Sequence, residues 1–413
     1  MSARFLIGAA LAAVALPAAA QDVVISNATV ALGDGSAPVE HATVVVRGGR
    51  VTAAGAGVAV PAGMATIDGS GMWVSPGIFA SITNLGLVDV DAVSESNDVD
   101  ADDSPFGAAL DVSPAINPLA QDVAISRAGG VTRASVTPNS SSSVFGGQGA
   151  LIDLGADFDA VRARRAFQFV EMGERGARLA GGSRTSVYAT VRNALVEAQM
   201  YRDQGTWDDD GLLNRLDTMA LVPVLNGEQQ LYVHVERAAD ILSVLALREE
   251  FPRLRLVIVG ATEGWMVAPQ IAASGVPVIA AALNDLPVSF EQLAATQSNV
   301  GRMVDAGVTV AIAGYGSSGD HPRGLPQQAG NMVALNRVDG ATGLSWGEAM
   351  ASITSVPARI AGMNNAGVLA AGAHGDLVLW DGDPLELSSA PIRVWIDGVE
   401  QPLENHQTRL RER

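Results

Sequence analysis

The chain contains no cysteine, and although 26 of its 413 residues are basic, none is lysine: every one is arginine. Without cysteine there is no disulfide, thiolate zinc site, iron–sulfur cluster or cysteine nucleophile. Without lysine there is no Schiff base, no P-loop lysine and no carboxylated lysine bridging two metals. Histidines number five, and after residue 20 no segment approaches the roughly 18 uninterrupted apolar residues of a spanning helix. Positive charge is outweighed: 44 acidic residues leave a formal net charge of -18, which argues against nucleic acid or an anionic membrane as the main partner. What is plentiful is apolar surface. With 48% hydrophobic and 17% charged residues the chain can bury a large core, so wholesale disorder is excluded. At roughly 150 residues per domain, the length suits one large α/β domain or two to three smaller ones.

The first twenty residues have the pattern of an export signal. Arg4 precedes an apolar run from Phe5 to Leu16, and Pro17-Ala18-Ala19-Ala20 supplies small residues for cleavage, with Gln21 as the expected mature start. No cysteine follows that point to carry a lipid, so no membrane anchor is expected. The expected location is periplasmic or secreted.

Short β-type runs occupy residues 22–75: Val23-Val24-Ile25-Ser26, then Ala42-Thr43-Val44-Val45-Val46-Arg47, then Val51-Thr52-Ala53-Ala54 after Gly48-Gly49. The far end repeats the character in Leu377-Val378-Leu379-Trp380 and Ile392-Arg393-Val394-Trp395-Ile396. Between them apolar runs alternate with helical patterns. The clearest begin at Leu231, Leu256, Val276 and Val308, so their starts are 25, 20 and 32 residues apart, enough for one helix per crossover, for example over 237–250 and 290–306. The expected fold class is therefore α/β, a TIM (β/α)8-type barrel over 76–365. A small composite β-sandwich from 22–75 and 366–402 completes it, behind a signal peptide at 1–20. Two stretches interrupt the pattern. Residues 89–103 hold seven carboxylates, but Asp98-x-Asp100-x-Asp102 has Asp103 where a calcium loop needs glycine and Ala109 where it needs glutamate, so a solvated acidic loop is expected. Ser140 to Ser143 with Gly146-Gly147 reads as a flexible turn, either a linker or a mobile loop at the barrel mouth.

No two of His41, His234, His321, His374 and His406 stand at i,i+2 or i,i+4, so no local histidine pair chelates a metal. His41, His374 and His406 read as structural or exposed. His234 differs, because it lies near the end of an expected barrel strand with Glu236 two residues on and facing the same side. A hydrogen-bonded core histidine is the competing reading. Asp320-His321-Pro322 follows a glycine-rich loop after another expected strand: the pair suits metal binding or proton transfer, and Asp320 equally suits a helix cap. No Gly-x-Ser-x-Gly, Walker or HExxH pattern occurs.

Three runs carry a family likeness. Val74-Ser75-Pro76-Gly77-Ile78-Phe79-Ala80-Ser81-Ile82-Thr83-Asn84-Leu85-Gly86 resembles the opening strand of the amidohydrolase superfamily, in its secreted imidazolonepropionase-like branch. Val233-His234-Val235-Glu236-Arg237-Ala238-Ala239-Asp240-Ile241 is similar to a later strand of that family, and 349–360 with 367–384, ending Trp380-Asp381-Gly382-Asp383-Pro384, is similar to its closing segment. The resemblance implies a divalent-metal hydrolase of carbon–nitrogen, non-peptide bonds. It also implies departures: the paired metal histidines fall on Ile82 and Asn84, a preceding aspartate on Ala80, and a further ligand near Gly260. His234 and Asp320 remain as expected metal ligands, with Asp320 also the catalytic group and Asn84 and His321 facing substrate. Two protein ligands fall short of the three that hydrolytic zinc needs. No tightly bound cofactor is expected, and a divalent metal such as zinc is expected to be weakly held. The expected function is an exported amidohydrolase with impaired or lost metal-dependent catalysis, or alternatively a non-catalytic binding or partner protein. Its expected ligand is a small amide-like molecule, and its macromolecular partners are further copies of the chain or a paralogue.

Overall fold

A computed structural model describes residues 20–90, 93–207, 210–314 and 321–411. The export signal and Asp320 lie outside the described residues. Strands Val23–Val30, Val39–Arg47, Arg50–Gly55, Thr66–Asp68 and Trp73–Pro76 join Leu377–Trp380, Pro391–Ile396 and Val399–Glu400 in one eight-stranded mixed sheet. Trp73–Pro76 is the splice between the chain ends. It pairs in parallel with Val23–Val30 and antiparallel with Leu377–Trp380, with Leu377 opposite Pro76. Alternating valines, Val44 and Val46 with Val23 and Ile25, line its core beside Trp395.

The second sheet runs, in spatial order, through Ile78–Thr83, Val131–Val136, Phe145–Asp153, Val161–Glu171, Gln230–Val235, Leu256–Gly260, Val278–Ala280 and Val310–Ile312. Phe79, Phe167, Phe169, Tyr232, Val257, Val259 and Ala311 fill the ring, and Phe167 stacks on Tyr232 with centroids 4.1 Å apart. The alternate residues Leu231, Val233 and Val235 face outward into the helix layer. Helix Ser355–Ile360 packs against both the first and last barrel strands, and the N–H of Phe79 donates to the carbonyl of Ile353 at 2.9 Å, which nearly closes the ring.

Three local expectations are corrected. Phe145–Asp153 is antiparallel to both neighbours, so the barrel is not an unbroken series of βα units. The connections, residues 137–144 and 154–160, are shorter than the dozen or so residues a parallel crossover needs. Gly146-Gly147 accordingly belongs to a buried strand and not to a turn. Gly147, at φ 119°, admits the Leu110 backbone: a Cβ there would lie 2.8 Å from its carbonyl oxygen. The helix expected over 290–306 is a 3-10 turn, Phe290–Gln292, and a shorter helix, Asn299–Asp305. Glu291 and Gln292 turn inward, and the Asp285 carboxylate takes the N–H of Gln297, which stops a continuous helix.

Candidate functional site at the barrel mouth

Strand alternation that puts Tyr232 inside the ring puts His234 on the same side, at the C-terminal end where parallel barrels carry their sites. The imidazole is buried and clamped. Nδ1 lies 2.8 and 2.7 Å from the two carboxylate oxygens of Glu171, and Nε2 lies 3.2 Å from Oε1 of Glu236. Each ring nitrogen thus faces a glutamate carboxyl group.

Each carboxylate is itself positioned by backbone. Gly173 N–H donates to Glu171 Oε1 at 2.9 Å, and Thr262 N–H to Glu236 Oε2 at 2.8 Å. Burial pushes the Glu236 carboxyl up, but His234 and the Thr262 N–H outweigh it and hold it below the ordinary glutamate range. Gly260, at φ 93°, explains where Glu236 sits, since a Cβ there would lie 2.8 Å from its carboxyl carbon. The place where the family resemblance puts a further ligand is thus occupied by the Glu236 carboxylate.

A third carboxylate, Glu291, enters from the 3-10 turn, its Oε2 accepting the N–H of Glu174 at 2.6 Å. Burial pushes this carboxyl up, and the Glu236 and Glu171 charges add to that against the Glu174 N–H and His234. Glu291 therefore keeps its proton to a higher pH than a solvated glutamate. The mouth combines three carboxyl groups with an imidazole, which together can bind or exchange protons with a polar ligand.

Other expected site residues are placed differently. Ile82 is half-buried against the interior apolar cluster at φ 53°, unusual for a β-branched residue, where the strand pairing shifts register between Ala80 and Thr83. Asn84 is exposed just past that strand, and His321 is exposed at the start of the turn Pro322–Gly324. His374, read as structural or exposed, has structural partners. It lies with Asp376 and Asp397 in a group whose ligand atoms fall within 4.8 Å of one another, but Arg133 is already there, donating to Asp376 at 2.5 Å and to Asp397 at 2.9 Å.

Sequence reasoning missed Glu171 and Glu291. The former was within reach, because Phe167, Phe169 and Glu171 share the period-2 phase of Tyr232 and His234. The latter had no periodic signal, being placed by an irregular turn.

Residues 249–401 match the amidohydrolase family. Amidohydrolase tasK of Hapsidospora irregularis is 26% identical over 345 residues, which cover 74% of this chain and 34% of that protein. Residues 249–401 thus carry the amidohydrolase pattern, on a chain with the fold of that superfamily. The chain spans about a third of the length of this curated relative. Among solved structures, an amidohydrolase from Thermotoga maritima MSB8 superposes with TM-score 0.80 at 24% identity, over 92% of this chain and 99% of that one. Atrazine chlorohydrolase from Arthrobacter aurescens TC1, solved with zinc, has TM-score 0.51 at 15% identity, over 94% of this chain and 98% of its own. Both likenesses are of fold.

The family's metal finds a poor donor set here. Among the described residues of the mouth, His234 Nε2 and Glu236 Oε1 are spaced as two ligands of one ion would be, with Glu171 on the far ring nitrogen as an orienting carboxylate. Ile82 offers no donor atom, and Asn84 faces solvent. Two donors do not make a hydrolytic zinc site.

Proposed function

We propose that this is an exported amidohydrolase-fold protein, periplasmic or secreted, whose family-level reaction is hydrolysis of carbon–nitrogen bonds other than peptide bonds and whose metal-dependent catalysis is impaired or lost. The mouth is retained as a binding site for a small amide-like molecule. Ile82 carries the reading: an apolar side chain packs against the barrel interior where the resemblance calls for a metal-binding imidazole. An amide suits what remains, since its N–H finds acceptors in the carboxylates of Glu171 and Glu236. A second reading, a non-catalytic binding or partner protein, is favoured by His234, whose two ring nitrogens already face carboxylates.

Zinc content of the dialysed protein tests this. The expected result is less than one equivalent, no chelator-sensitive amide hydrolysis, and a rise in zinc when Ile82→His and Asn84→His are combined. Stoichiometric tight zinc in the unaltered chain, or hydrolysis that chelators abolish, overturns the reading. N-terminal sequencing checks export, with Gln21 as the expected first residue.

A further inference from the structure

We infer that a second site, outside the strand ring, binds a small monocarboxylate with an apolar body. Helices Arg184–Gln204 and Ala238–Glu250 stand side by side over the outward-facing Met172 and Val235, and between them lies a cavity of about 330 Å³. That is within the range of small-molecule sites, about 300–1,000 Å³, which are mostly apolar with a few converging polar groups. The walls here are Val187, Val244 and the ring of Tyr188, with the hydroxyl of Ser243 at the edge.

The charged groups in it are unevenly matched. Arg184 Nε donates to Asp240 Oδ2 at 2.8 Å and Arg237 Nη2 donates to Asp240 Oδ1 at 2.9 Å, so a single carboxylate serves two guanidinium groups. Arg184 has further carboxylates at 3.7 Å, on Glu174 and Glu291. Among the described residues Arg237 has no such supplement; its side chain is 39% exposed, while its Nε is buried without a hydrogen-bond partner. Arg237 also caps the N-terminus of the thirteen-residue helix Ala238–Glu250, where the aligned peptide dipoles add positive potential. The end of this guanidinium that remains exposed is open to a planar anion, and a carboxylate suits its paired donors. One negative charge is the limit, because a dianion would also face Asp240 and Glu174. This inference does not depend on the reading of the barrel mouth.

Isothermal titration of the full chain with 3-phenylpropionate tests it. Saturable one-to-one binding is expected, with affinity at least tenfold weaker in Arg237→Gln, and as weak in Ser243→Trp, which fills the cavity from an exposed position. The neutral isostere 3-phenylpropionamide and inorganic phosphate are each expected to bind at least tenfold more weakly than the acid. Absence of binding to the unaltered protein overturns the inference, as does unchanged affinity in Ser243→Trp, which keeps both arginines. Equal affinity for the amide removes the role of charge, and equal affinity for phosphate removes that of the apolar walls; either result also overturns it.

Discussion

The molecule holds two histidine–carboxylate clusters built from the same residue types, at opposite ends of the barrel. At the mouth, His234 stands among Glu171, Glu236 and Glu291. At the base, His374 stands with Asp376 and Asp397 beside Arg133, which is 1% exposed and reaches from the second barrel strand to the mixed sheet. The base cluster has the spacing of a metal site, yet its cation is a side chain. Burial pulls the Arg133 guanidinium down, but Asp376 and Asp397 outweigh it and hold it above the ordinary arginine range. A fixed cation of this kind joins the two sheets. The mouth cluster has carboxylates in excess, with a single imidazole among them and the Arg184 guanidinium no nearer to Glu291 than 3.7 Å, which is the arrangement of a site that exchanges protons or partners. Proximity of histidine and acids therefore does not distinguish a site from a strut; how tightly a fixed cation is held among them does.

Removing that cation is the largest expected perturbation. Arg133→Met leaves Asp376 buried without its ion pair, and breaking a buried pair this way costs about 3–5 kcal/mol. His234→Gln at the mouth, which keeps an amide donor, is expected to cost about 1 kcal/mol, on the scale of one hydrogen bond. Urea denaturation of the two variants checks the contrast. Equal losses would break the distinction between strut and site.

Gly260 sharpens the mouth side. A substituted Cβ would meet the Glu236 carboxyl at 2.8–2.9 Å in a backbone with φ 93°. Gly35 has the same φ of 93° and nothing within 4 Å, so it isolates backbone strain from the contact. Strain of this type costs about 1–3 kcal/mol. Gly260→Ala is expected to lose more than Gly35→Ala in melting temperature, and the difference measures how firmly Glu236 is seated. Equal losses would mean that Glu236 moves aside freely and that the clamp on His234 is loose.

The two clusters were unequally legible in the sequence. His234 and Glu236 could be read because a strand's period of two projects them inward at its mouth end. Glu171 obeys the same rule but lies outside the three runs that carry the family likeness. The base cluster was not legible at all: Arg133 meets Asp376, His374 and Asp397 across 243, 241 and 264 residues of chain. Only the pairing of Trp73–Pro76 with both chain ends brings them together. The barrel was legible from its apolar runs, whereas its antiparallel strand was hidden by Gly146-Gly147, which reads as a turn until Leu110 is seen against it.

The smallest expected effect is in the pH dependence, where the clusters should differ in sign. Burial raises the Asp397 carboxyl, but the His374 hydrogen bond and the Arg133 charge outweigh it and leave it well below its ordinary value of 3.8. A depressed carboxyl contributes stability that is complete above the unfolded value and is lost as pH falls through the folded one. The stability gap between the unaltered protein and Asp397→Asn should therefore be steady above about pH 5 and shrink as pH falls below about 4. Asp397 is partly exposed, so solvent screening keeps the gap modest. Glu291 is shifted the other way, above its ordinary 4.5. Its protonated form favours the fold, so its contribution is present below the unfolded value and is lost as pH rises through the folded one. Glu291→Gln, which mimics that form, should gain stability relative to the unaltered protein as pH rises. Urea midpoints of both variants between pH 3 and 8 decide the matter: slopes of the same sign would mean that the Glu291 carboxyl is not shifted upward at the mouth, and the contrast between the two clusters would fail there.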